Sequence, residues 1–128
     1  MQDPGLESIY KAFDGKLLGS FPMKVHVCQT LSGMPTEVID FVTKNCWFLA
    51  SFEDAWAFTF TGSDIKDHHL IFLTDELLLQ DEYQIHYSIA HEIGHVMLGH
   101  KNSITVKQTR QEVIKQEKEA DKFAKKYI

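Results

Sequence analysis

Two histidines and a glutamate in the run His91-Glu92-Ile93-Gly94-His95 are the residues of this chain whose types and spacing could do chemistry. The H-E-x-x-H order is the spacing used by metal-dependent hydrolases. On an α-helix the histidines stand at i and i+4, so both imidazoles leave one face and can grip a single ion, with Zn²⁺ the expected metal. Glu92 flanks them and can reach a water on that metal without taking a ligand position, as a general base must. A chain with seven histidines can produce such a string by chance. Solvated helical His and Glu residues are the plain alternative, so the elements around the motif must decide.

Asp81 to Gly99 reads as one helix. Ile85, Ile89, Ile93 and Val96 recur at i, i+4, i+8 and i+11 and form an apolar stripe. His91 and His95 fall on the far side of that stripe, with Glu92 at its border. Asp81 is the expected N-cap and Gly99 the expected C-terminal stop. The motif therefore sits on a helix whose back is buried and whose front is free.

A catalytic zinc takes three protein ligands and leaves one position open. His100 is the nearest further donor, but the long metzincin pattern needs Gly and His where this chain has Leu98 and Lys101. His100 is better read as a polar residue just past the helix end. Glu117 and Glu119 lie on a second expected helix, from Thr109 to Tyr127. Val113, Glu117, Ala120, Ala124 and Tyr127 share one side of it. A carboxylate on such a small-residue, apolar face is costly unless it binds something. Ala120 and Ala124 would let the two helices approach closely enough for Glu117 to reach the metal. Asp121 would then accept the other ring N–H of a ligand histidine. Glu119 points away and reads as a surface charge. An ordinary charged helix surface is the competing reading for Glu117 and Asp121.

His91-Glu92-Ile93-Gly94-His95, followed by Val96-Met97-Leu98-Gly99-His100 and by Glu117-x-x-Ala120-Asp121-x-Phe123-Ala124, resembles the ImmA/IrrE-type metallopeptidases. More broadly it resembles the gluzincins, whose third ligand is a glutamate in an E-x-x-x-D arrangement. The resemblance covers Ile85 to Ala124. It implies His91, His95 and Glu117 as zinc ligands, Glu92 as catalytic base, and Asp121 in support of the ligands. It also implies a peptidase that cuts a specific intracellular protein, with a transcriptional repressor as the partner class.

The 128 residues, 44% hydrophobic and 24% charged, suit one compact domain over 1–128. A net charge of -5 without a basic block argues against direct nucleic-acid binding. Cys28 and Cys46 are not in C-x-x-C form and read as reduced core thiols of a cytoplasmic protein. No signal peptide is apparent, and the longest apolar run, Cys46 to Ala50, is too short to cross a membrane.

Leu6 to Phe13 reads as a short helix and Met23 to Gln29, with Val25 and Val27, as a strand. Pro35 to Lys44 reads as a helix opened by proline, and Ala55 to Thr61 and His69 to Thr74 as two more strands. This order predicts an α+β, zincin-like fold. A small, mainly antiparallel sheet packs on the active-site helix, and a C-terminal helix completes it. Leu70 to Leu73 would present either an edge to an extended peptide or a plain core strand. His100, Tyr83, Tyr87 and Tyr127 are candidate donors to the oxyanion of a tetrahedral intermediate. His86 reads as structural, and Asp67, His68 and His69 as a polar turn. Two other function classes stay open. One is a non-catalytic regulatory or binding module that keeps zinc as a structural staple; the other is a zinc hydrolase acting on a small amide.

Overall fold

The computed structural model describes residues 3–51, 57–60, 68–100 and 109–128, of which 50, 51 and 57–60 are described by their backbone. Helix α1 (Pro4–Ala12) opens on Asp3, whose carboxylate accepts from the backbone N–H of Gly5 and Leu6. Helix α2 (Phe21–Ser32) replaces the strand expected at Met23 to Gln29. Ser20 caps it by accepting from the Met23 N–H, and proline occupies its first turn. Its buried Met23, Val27 and Leu31 recur at i, i+4 and i+8, a period that the alternation of Val25 and Val27 conceals. Helix α3 (Thr36–Asn45) covers the expected segment within a residue at each end and runs directly into strand β1 (Cys46–Ser51).

Strands β2 (Ala57–Phe60) and β3 (His69–Thr74) complete a three-stranded sheet in the order β1-β3-β2. The ends of the expected Ala55 to Thr61 strand lie outside the described residues, as does Asp67 of the expected polar turn. His69 instead opens β3, its ring 5.9 Å from that of Phe41. The sheet is mixed rather than mainly antiparallel. β1 runs parallel to β3 with Phe48 opposite Ile71, while β2 runs antiparallel to it with Phe58 opposite Phe72. The reason lies in β1, a continuous apolar run of the kind that parallel, covered strands show. Its outer side is shielded at Phe48, which exchanges backbone hydrogen bonds with Lys16 and Leu18 at 2.9 and 2.8 Å. β3 is therefore the central strand, and Leu70 to Leu73 offers no free edge; the edge strand packed against the following helix is β2.

A 3₁₀ turn (Leu77–Leu79) leads into helix α4 (Glu82–Met97), and helix α5 (Arg110–Tyr127) packs along it. Asp81 caps α4, its Oδ1 accepting from the Gln84 N–H at 2.8 Å, and Thr109 caps α5 through the Glu112 N–H at 3.1 Å. Ile85, Ile89, Ile93 and Val96 are all buried and join α4 to the common core with Val27, Leu31, Phe48, Ile71 and Leu73. The two cysteines are free and buried there, and burial pushes Cys28 up to about 11 and Cys46 up to about 12. Neither thiol supplies a nucleophile at neutral pH.

The α4–α5 contact is close because small residues line it. Ala120 and Ala124 are fully buried, and a Cβ on Gly94 would stand 3.1 Å from Phe123 Cβ and Cδ1. Gly94→Val is expected to cost about 1–3 kcal/mol by overpacking, despite removing a helix-interior glycine. Urea unfolding of the variant beside wild type checks this; unchanged stability would show that the helices can part without cost.

Candidate metal centre

Helix α5 runs antiparallel to α4, and the side chains show the register directly. Glu117 meets His91 and His95, and Asp121, one turn further along α5, meets His91 and Tyr87. Glu117 Oε2 lies 3.0 Å from His91 Nε2, and its Oε1 lies 3.1 Å from His95 Nε2. Asp121 Oδ1 lies 3.3 Å from His91 Nε2, the nitrogen that also faces Glu117, rather than across the ring. The imidazoles are mostly covered, at 16% and 14% exposed, whereas Glu117 is 53% exposed, so the cluster opens to solvent on the α5 side.

Glu92 is buried at 6% exposure. Its carboxylate joins His91 and His95 in a group whose ligand atoms all lie within 4.8 Å of one another, a group that could hold a metal ion. Burial, reinforced by the neighbouring His91, pushes His95 down to about 4. A neutral imidazole with a free lone pair is the form a metal binds.

Atoms bound to one tetrahedral zinc at about 2.0–2.1 Å stand about 3.3–3.4 Å apart. The 3.0 and 3.1 Å separations of Glu117 from the two histidines are close to that spacing. A small expansion admits an ion, and the donor set of two imidazoles and a carboxylate suits zinc.

Around this cluster α4 carries an aromatic ladder. Tyr83 stacks on Tyr87 at 6.2 Å, and Tyr87 on His91 at 6.3 Å, as i, i+4 spacing dictates. The Tyr87 hydroxyl donates to Asp121 Oδ1 at 2.5 Å. Burial and that carboxylate push the phenol up to about 12, so it remains a donor at neutral pH. His86 points elsewhere, its Nε2 lying 3.2 Å from both His26 Nδ1 and Gln29 Oε1 and tying α4 to α2.

Besides Asp121, Glu119 departs from the sequence reading, and His100 makes contacts that the sequence did not show. His100 stands just past the helix end as expected, but it is buried at 8% exposure, and its Nδ1 lies 2.9 Å from His95 Nδ1. Glu119 approaches His100 Nε2 at 3.4 Å rather than standing apart as a surface charge. The available signal was Gly99: a left-handed residue after a helix turns the chain back over the last turn.

Residues 54–128, more than half of the chain, match the Peptidase U49 family. The chain belongs to that family. Membership makes this U49 chain a peptide hydrolase, and with the His-Glu-His cluster it is the part of the expected ImmA/IrrE-type likeness that stands. Neither a curated protein nor a solved structure matches the U49 chain. Among the described residues no helix is long and apolar enough to cross a membrane.

Proposed function

We propose that this U49 peptidase is a zinc enzyme in which His91, His95 and Glu117 hold the metal, Glu92 is the general base, and Asp121 supports the ligand set. The observation that carries this reading is Glu117, whose two carboxylate oxygens lie 3.0 and 3.1 Å from the two histidine Nε2 atoms. Glu92 and Glu117 compete for the carboxylate ligand position. Glu117 is favoured because its oxygens stand at ligand-to-ligand spacing from both imidazoles, whereas Glu92 follows His91 directly on the same helix turn and suits a group that acts on a water.

Zinc bound there would polarise the scissile carbonyl and bring the attacking water towards a pKa of about 7. Glu92 takes the proton of that water and passes it to the leaving amine. Its burial keeps the carboxylate close to the reacting atoms with little competing water. Asp121, held by the Tyr87 hydroxyl, stands beside His91 Nε2 and adds negative charge next to the proposed ligand nitrogen.

The substrate in this reading is a specific protein presented as an extended segment. Among the described residues β2 is the sheet-edge strand that packs against α4, and strand addition there would supply main-chain hydrogen bonds to such a segment. A transcriptional repressor is the partner class brought by the ImmA/IrrE resemblance.

N-terminal profiling of a cell extract incubated with the purified protein tests the reaction. A small set of new N-termini is expected, lost on chelation and restored by Zn²⁺. Cleavage indifferent to chelation would contradict the metal mechanism.

A further inference from the structure

We infer that His100 is a positioning residue for His95, fixing the ring tautomer that presents the His95 Nε2 lone pair to a metal, with Glu119 completing the chain behind it. The inference rests on the reading of His95 as a ligand.

The backbone builds the contact. Gly99 has φ +69°, the left-handed region that glycine enters without cost. The Gly99 N–H then donates to Val96 O at 3.2 Å and the His100 N–H to His95 O at 2.9 Å. These are the paired bonds of a Schellman motif, and they fold His100 back under the last turn of α4. The two rings meet edge to face, their centroids 5.1 Å apart.

The proton positions follow from the contacts. His95 Nε2 faces Glu117 and the proposed ion, so when its lone pair is used the ring proton must sit on Nδ1. That N–H needs an acceptor, and His100 Nδ1 stands 2.9 Å away. His100 Nδ1 accepts only when its own ring carries the proton on Nε2. His100 Nε2 is buried and makes no hydrogen bond among the described residues, while Glu119 Oε1 faces it at 3.4 Å. A carboxylate on that side favours the Nε2–H tautomer and draws it closer as His95 is polarised. The order is ligand histidine, histidine, glutamate, where metal sites more often place a carboxylate or carbonyl directly behind the ligand ring.

The test is zinc affinity by chelator competition on wild type, His95→Ala, His100→Leu and His100→Asn. His100→Leu fills the space without an acceptor and is expected to weaken zinc by about 10–100-fold. His100→Asn places an amide oxygen where Nδ1 was and is expected to recover most of that loss. Equal affinity in wild type and both His100 variants overturns the inference, and so does an equal loss in both, because shape rather than an acceptor would then matter. Equal affinity in wild type and His95→Ala overturns the ligand reading, and the inference with it. Nitrogen-15 NMR of zinc-loaded wild type decides the matter even if a variant fails to fold. His95 protonated at Nδ1 and His100 protonated at Nε2 are expected, and the opposite tautomer of either ring overturns the inference.

Discussion

Glu92→Gln is expected to lower peptide hydrolysis by about 10²–10⁴-fold and to leave the metal in place. The two side chains have nearly the same size, so the buried position beside His91 and His95 stays filled. The amide cannot take a proton from water, which removes the base without removing a ligand. Elemental analysis and the N-terminal profile, run on the variant beside wild type, check both halves. Undiminished cleavage would sink the role given to Glu92; loss of the metal would make Glu92 a ligand instead.

The second large effect is on metal retention. Glu117→Ala removes the one carboxylate whose oxygens reach both histidine Nε2 atoms. Wild type is expected to carry about one metal ion per chain, as a three-ligand site does, and the variant far less. Because the ion binds the folded chain and not the unfolded one, the loss also shows in stability. Metal present at 100–1,000 times its Kd stabilises by about 2.7–4.1 kcal/mol, and Glu117→Ala forfeits most of that. Without added metal the variant should melt close to wild type, since Glu117 is half exposed and contributes little to the core. Thermal melts with and without Zn²⁺ separate the two contributions. A variant that keeps its ion and its zinc-induced rise in Tm would remove Glu117 from the ligand set.

Much of this arrangement is legible in local pattern. The period of Ile85, Ile89, Ile93 and Val96 places the histidines on the opposite face of α4, and Asp81 and Gly99 mark where that helix begins and turns back. Ala120 and Ala124 mark the face of α5 that can come close, with Glu117 and Asp121 beside it. These features depend on neighbours within about one or two turns, where 3.6-residue geometry and capping chemistry act directly. The same local logic misled at Met23 to Gln29, where alternating valines hid the longer period of Met23, Val27 and Leu31 and the cap at Ser20.

Other features depend on segments far apart in the chain. Nothing in Leu70 to Leu73 says that β1 will pair on one side and β2 on the other, and so decide for a core strand over an exposed edge. Strand partners are chosen by how whole elements cover one another, a non-local balance of burial and chain closure. The meeting of Asp121 with His91 at Nε2, and of Glu119 with His100, depends on the rotation of α5 against α4, set where Phe123 packs on Gly94. Residue types and spacing thus determine that a metal-binding helix exists and which way it faces. Only the packing of α5 against it decides which carboxylates meet which ring nitrogens, because a shift of one residue in that contact would turn Glu117 away from both histidines.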